Sequence, residues 1–167
     1  MDAPTHLMFI HGLISSGQGD KATFLRTQLP GLLTPDFSGT LDQRMAQLTV
    51  ILGDTPGWTL IGSSFGGLMA TLFACQHPAQ VRQLILLAPA LTWPDFVHRL
   101  PPPTDVPATI YHGRADDVVP LAPTRAIAAR LFTRMTFHEV DDGHDLYATV
   151  RTLDWPGLLA GNHSGWL

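Results

Sequence analysis

The sequence predicts a single α/β domain of three layers, with helices on both sides of a mostly parallel sheet of about six strands. Three observations lead there. Short apolar runs alternate from end to end with segments of helical periodicity, the pattern of strands joined by crossover helices. Several of these runs are apolar at successive positions, as strands buried on both faces are. Finally, 167 residues of 45% apolar and 14% charged composition suffice for one self-supporting core, and Cys75, the only cysteine, has no partner for a disulfide.

The six strands fall at residues 6–10, 32–34, 59–61, 84–87, 109–112 and 136–140. The second is short and ends at Pro35. Leu41, Met45, Leu48 and Leu52 recur at helical spacing, which assigns Asp42, Gln43 and Arg44 to the other, solvent side. A helix over 68–75 is apolar nearly all round and so is the central one, with Cys75 a buried residue within it. Residues 126–131 form an amphipathic helix through Ile127 and Leu131, and Leu146, Val150 and Leu153 mark another. Residues 91–107 carry Pro94, Pro101, Pro102, Pro103 and Pro107, which exclude a long regular element. With Trp93, Phe96, Val97 and Leu100 among them, they read as a cap-like connection over the sheet's edge near the site, within one domain spanning 1–167. Residues 161–167 read as a short tail with no evident role.

Charge and termini narrow the function classes. A formal net charge of -4 and scattered basic residues, with only a loose group at Arg125, Arg130 and Arg134, disfavour nucleic acid as a partner. No Lys- or Arg-rich segment precedes a long apolar run, and residues 7–10 are too short for a signal peptide or a membrane span. A cytoplasmic protein with no membrane partner is therefore expected.

The stretch Gly62-Ser63-Ser64-Phe65-Gly66 follows an apolar run and opens the central helix. A glycine two residues either side of Ser64 allows a sharp turn that exposes its hydroxyl, whereas Ser63 is not flanked in this way. A serine before a helix is often only an N-cap, so the surroundings decide. Ligands of parallel sheets bind beyond the carboxyl ends of the strands. After the fifth expected strand comes His112-Gly113-Arg114-Ala115-Asp116-Asp117-Val118-Val119-Pro120, and after the sixth Asp141-Asp142-Gly143-His144-Asp145. Serine, acid and histidine thus each follow a different strand.

Together with Phe9-Ile10-His11-Gly12, these segments resemble the α/β-hydrolase superfamily, whose chain order is nucleophile, acid, histidine. The resemblance takes in most of the chain. It implies Ser64 as nucleophile, His144 as its base, and Asp116 as the acid that orients the imidazole, favoured over adjacent Asp117 and over Asp95. The oxyanion hole would be the backbone N–H of Phe65 and, by the same resemblance, that of Leu13. Leu13 stands where the lipase pattern has a second glycine. Typical members carry two strands before the one that bears the oxyanion loop, and this chain starts at that strand, so the fold resembles a minimal member. In shortness it is similar to small bacterial serine hydrolases and carboxylesterases, including the YqiA-like group.

An aspartate at the elbow would suggest dehalogenase or epoxide hydrolase chemistry, and a cysteine dienelactone hydrolase. A serine implies an acyl-enzyme, and a small-molecule ester is the expected substrate. Thioester hydrolysis and acyl transfer use the same triad, and a non-catalytic hydrolase-fold binding protein is the remaining alternative. Leu13, Ile14, Phe65, Leu91, Trp93 and Tyr147 are candidates to line an apolar acyl site, with Phe96 and Val118 beside them. Of the eight histidines, His11 and His112 sit in His-Gly pairs at strand ends, where backbone hydrogen bonding is the expected role. A metal site from His11, His112 and His144 lacks the close paired spacing of a helical zinc site, so no metal and no cofactor are expected.

Overall fold

The computed structural model describes residues 6–163 together with 165 and 166. Five strands, β1 (His6–Ile10), β2 (Trp58–Ser63), β3 (Val81–Leu87), β4 (Ala108–Gly113) and β5 (Met135–Val140), form one wholly parallel sheet in which spatial order repeats chain order. The helices are α1 (Asp20–Gln28), α2 (Leu41–Leu52), α3 (Phe65–Gln76), α4 (Pro94–Val97), α5 (Leu121–Leu131), α6 (Tyr147–Thr152) and α7 (Trp155–Leu159).

Strand order explains the layering. Parallel crossovers are right-handed, so strands added successively in one direction receive their crossover helices on one face. Accordingly α2, α3 and α5 bury Leu48, Leu52, Leu68, Phe73, Ala128 and Leu131 with Met8, Ile10, Leu60, Leu84, Leu86 and Ile110. The opposite face, Leu7, Phe9, Ile61, Ile85, Leu87 and Tyr111, is covered by α1 and by α6 and α7, which follow the last strand. Alternate residues of each strand thus feed two separate cores, which is why the runs are apolar at successive positions.

Several expectations are corrected. The sheet has five strands because residues 32–34 supply only a bridge: Leu33 accepts from Phe9 N–H at 2.8 Å and donates to Leu7 O at 3.0 Å. Pro35, lacking an N–H, ends that ladder. Arg44 is not on a solvent face but 5% exposed, beneath the loop that follows β1. Residues 91–107 join the interior strands β3 and β4. Leu91, Phe96 and Val106 enter the α2–α3–α5 core, and Thr104 Oγ1 donates to Ala74 O at 3.4 Å on α3. Within the tail, Gly165 O accepts from Asp154 N–H at 2.9 Å, and Trp166 meets Tyr111 of β4 edge-on at 6.1 Å, so these two residues pack against the domain. Cys75 is half-buried, and burial pushes its thiol up to about 11.

Candidate active site

Ser64 is the hinge between β2 and α3 and has φ 55° and ψ −116°, a conformation that L-residues rarely adopt. The flanking glycines are required by close approach. A Cβ on Gly62 would lie 2.5 Å from Gly66 O, and one on Gly66 would lie 1.9 Å from Ile10 O. The turn is pinned from the next strand, since Ser64 N–H donates to Leu87 O at 2.9 Å and Ser64 O accepts from Ala90 N–H at 2.9 Å.

The loops after β4 and β5 meet this serine. His144 Nε2 is 3.1 Å from Ser64 Oγ, and His144 Nδ1 is 2.9 Å from Asp116 Oδ2. Asp116 Oδ1 accepts from Val118 N–H at 2.9 Å and Val119 N–H at 2.8 Å, which fixes the carboxylate within its own turn. Its side chain is fully buried. Burial alone would raise its pKa, but the hydrogen bond from His144, the two backbone donors and the charge of His144 outweigh it and hold the carboxyl below its ordinary range. Asp117 is exposed, and neighbouring side chains diverge, so the structure brings Asp116 and not Asp117 to the histidine.

The histidine loop is built by Asp142. Its Oδ2 accepts from Thr149 N–H and Oγ1, both at 2.9 Å, and its Oδ1 from Gly143 N–H at 2.8 Å. Although burial pushes the other way, these donors and Ala148 N–H lower its pKa. Leu146, at φ 50° and ψ 37°, then turns the chain into α6. The two loops touch at Gly113, where a Cβ would be 2.2 Å from Asp142 O.

His112 and His11 serve the framework. His112 Nε2 lies 2.9 Å from Val119 O and 3.3 Å from Asp116 Oδ2, with the ring fully buried. His11 Nδ1 donates to Gly12 O at 2.7 Å, and Nε2 accepts from Phe37 N–H at 2.9 Å, tying the loop after β1 to residues 34–37. Gly12 runs against the nucleophile: a Cβ there would contact Ser64 Cβ at 3.6 Å. Leu13 follows it, 43% exposed, its carbonyl accepting from Arg44 Nη2 at 3.1 Å. The N–H of Phe65 belongs to the first turn of α3, where helix donors have no intrahelical acceptor.

The six candidate acyl-site residues do not converge into one apolar lining. Phe65 and Leu91 are 2% and 0% exposed and belong to the core. Trp93, half-buried, stands edge-on to Phe65 at 5.0 Å between ring centres. Ile14 and Tyr147 are exposed, like Leu13, and Arg151 stacks on the Tyr147 ring at 3.6 Å. Of the two further apolar candidates, Val118 is exposed and Phe96 buried.

Two residues near the serine were not anticipated. Lys21 Nζ donates to Ser63 Oγ at 2.9 Å. Burial lowers its pKa, Asp145 and Asp142 oppose that, and Arg151 adds to it. Arg44 is the second. Its position three residues after Leu41 and four before Leu48, on the buried face of α2, was the signal for its burial. Among the described residues no three His, Cys, Asp or Glu side chains gather to hold a metal ion, and no helix is long and apolar enough to cross a membrane.

A family model described as the alpha/beta hydrolase fold matches residues 16–105, more than half of the chain. The chain belongs to the α/β hydrolase fold family. Among solved structures, an α/β-superfamily protein from Xanthomonas campestris pv. campestris is 29% identical, with a TM-score of 0.69 over 88% of this chain and 91% of that one. Est1E from Butyrivibrio proteoclasticus, in a structure with ferulic acid bound, superposes with a TM-score of 0.73 at 15% identity, covering 89% of this chain and 86% of that one. A metagenome-derived lipolytic enzyme from a study of LipS and LipT gives a TM-score of 0.68 at 18% identity, over 96% of this chain and 91% of that one. None of the curated proteins compared matches the sequence.

Proposed function

We propose that this α/β hydrolase fold protein is a serine hydrolase that cleaves carboxylic esters of small substrates through an acyl-enzyme. The observation that carries the reading is the continuous hydrogen-bonded line Asp116 Oδ2, His144 Nδ1, His144 Nε2, Ser64 Oγ, ending at a serine in a strained turn. A serine hydroxyl is a weak nucleophile until a base takes its proton. In this reading His144 Nε2 takes that proton as Ser64 Oγ attacks the ester carbon, and buried Asp116 orients the ring and stabilises the imidazolium. Negative charge on the former carbonyl oxygen is met by the backbone N–H groups of Phe65 and Leu13. His144 then protonates the leaving alcohol, and a water activated by the same nitrogen releases the acid and restores Ser64.

Trp93, half-buried and edge-on to Phe65 beside the nucleophile, is the apolar side chain of the 91–107 connection proposed to meet a short acyl group. The lipolytic neighbour and Est1E share the fold and lend weight to ester chemistry. The decisive experiment is intact-protein mass after exposure to a small fluorophosphonate. A single adduct on the wild type, absent from Ser64→Ala, is expected. Equal labelling of both, or of neither, would reject Ser64 as an activated nucleophile.

A further inference from the structure

Arg44 is a guanidinium buried in a place where stability alone would favour an apolar side chain. It is 5% exposed, and no carboxylate among the described residues lies within ion-pair distance of it. Its Nη1 is buried without a hydrogen-bond partner. Burying a charge with neither counter-ion nor full hydrogen bonding is unfavourable. Two of its contacts reach the serine's surroundings, and the third ties it to the start of its own helix. Nη2 donates to Leu13 O at 3.1 Å, Nε donates to Gly39 O at 3.1 Å, and the guanidinium plane covers the Phe65 ring at 5.3 Å. Leu13 and Phe65 are the two residues whose backbone N–H groups the proposed reaction requires.

We infer that Arg44 is a positioning residue of the oxyanion hole, holding the Leu13 loop and the Phe65 end of α3 in one rigid arrangement and placing an unpaired positive charge behind the developing oxyanion. The inference rests on the serine hydrolase reading. It follows from how such donors work: they act only if aimed in advance at the charged oxygen. Leu13 sits in a stretch exposed from residue 13 to 15, between the bonds of His11 on one side and those of Gly17 to Asp36 and Arg26 on the other, with Ser15 N–H donating to Gly12 O at 3.3 Å. Arg44 is the contact that reaches Leu13 itself. A lysine would keep the charge but has a single nitrogen in place of the planar fork that spans Gly39 O and Leu13 O.

The test compares Arg44→Met and Arg44→Lys with wild type, using p-nitrophenyl acetate, an aliphatic trifluoromethyl ketone and the parent methyl ketone. The trifluoromethyl ketone takes Ser64 Oγ at its carbonyl carbon, passes the serine proton to His144 and carries the negative charge on its oxygen, so its inhibition reads the oxyanion hole. The methyl ketone reads ground-state binding. Arg44→Met should lower kcat/KM and weaken trifluoromethyl ketone inhibition together by about 10- to 100-fold, less than outright loss of both donors, with methyl ketone inhibition unchanged. Arg44→Lys should fall between. Changes within roughly threefold, or equal weakening of both ketones, would overturn the inference. If circular dichroism shows that Arg44→Met does not fold, Arg44→Lys is judged by the same criteria. A wild type that resists the fluorophosphonate takes down both this inference and the hydrolase reading. A wild type that labels, beside Arg44 variants that behave like it, takes down this inference alone.

Discussion

Gly113→Ala tests the way the acid and histidine loops are held together without touching either side chain. The added methyl carbon would lie 2.2 Å from Asp142 O and 2.7 Å from Gly143 O. Ordinary contact needs about 3.5 Å, so the two loops must part by about 1 Å. His144 Nδ1 and Asp116 Oδ2 are 2.9 Å apart across that same junction, and a separation of this size takes the pair beyond hydrogen-bond length. Misplacement of a catalytic group by 1 Å costs about 100-fold in rate, and overpacking at a buried junction costs about 1–3 kcal/mol. Gly143→Ala is the control, because a Cβ there meets nothing within 4 Å. Initial rates on a p-nitrophenyl ester and thermal midpoints for both variants check the reasoning. It is refuted if Gly113→Ala retains wild-type kcat/KM, or if Gly143→Ala loses as much.

Asp116→Asn should reduce kcat by about 10⁴-fold, as loss of the orienting acid does in serine hydrolases, while Asp117→Asn stays near wild type in the same rate assay. Ser64→Gly should melt above Ser64→Ala by about 1 kcal/mol, because glycine accepts the positive φ without strain, and chemical denaturation of the two inactive variants would show it. Asp116 and Asp142 both have folded pKa values below their unfolded ones. The stability they supply is thus complete above the ordinary carboxylate range and disappears as pH falls through the lowered values. Thermal midpoints should therefore drop in acid, and Asp142→Asn should drop less steeply than wild type over that range. Leu48→Ala, emptying a fully buried site between α2 and the sheet, should lose about 2–5 kcal/mol on urea unfolding.

The inner strands and the central helix were legible because those strands are fed into two cores and so are largely apolar at successive positions, a signal that needs no tertiary information; β5, Met-Thr-Phe-His-Glu-Val, was legible by alternation instead. The same locality explains the misses. Residues 32–34 look like a strand in isolation, and only their neighbour across the sheet and Pro35 reduce them to a bridge. Helix α1 shows three buried anchors, Ala22, Leu25 and Leu29, amid polar residues; the i, i+3, i+7 spacing was present but sparse. Arg44 was assigned by its chemistry instead of its phase on α2. At the site, the setting of Ser64 carries a mark in the sequence because its turn admits no Cβ at 62 or 66, and Gly113 is required in the same way where the loops bearing Asp116 and His144 meet. Phe65 and Leu91 were not separable from core residues, since an apolar side chain carries no mark of which side of a surface it will face.

β5 is one of the sheet's two outer strands, half-buried along its whole length and paired with a neighbouring strand on one side only. Outer strands open more readily than inner ones. His144, the proposed base, follows its end, so the element that carries the proposed proton acceptor is also the one least committed to the core. Mild denaturant should silence the protein while β1 to β3 remain intact, and a chain emerging in order from its N-terminus would gain its serine turn long before it could use it.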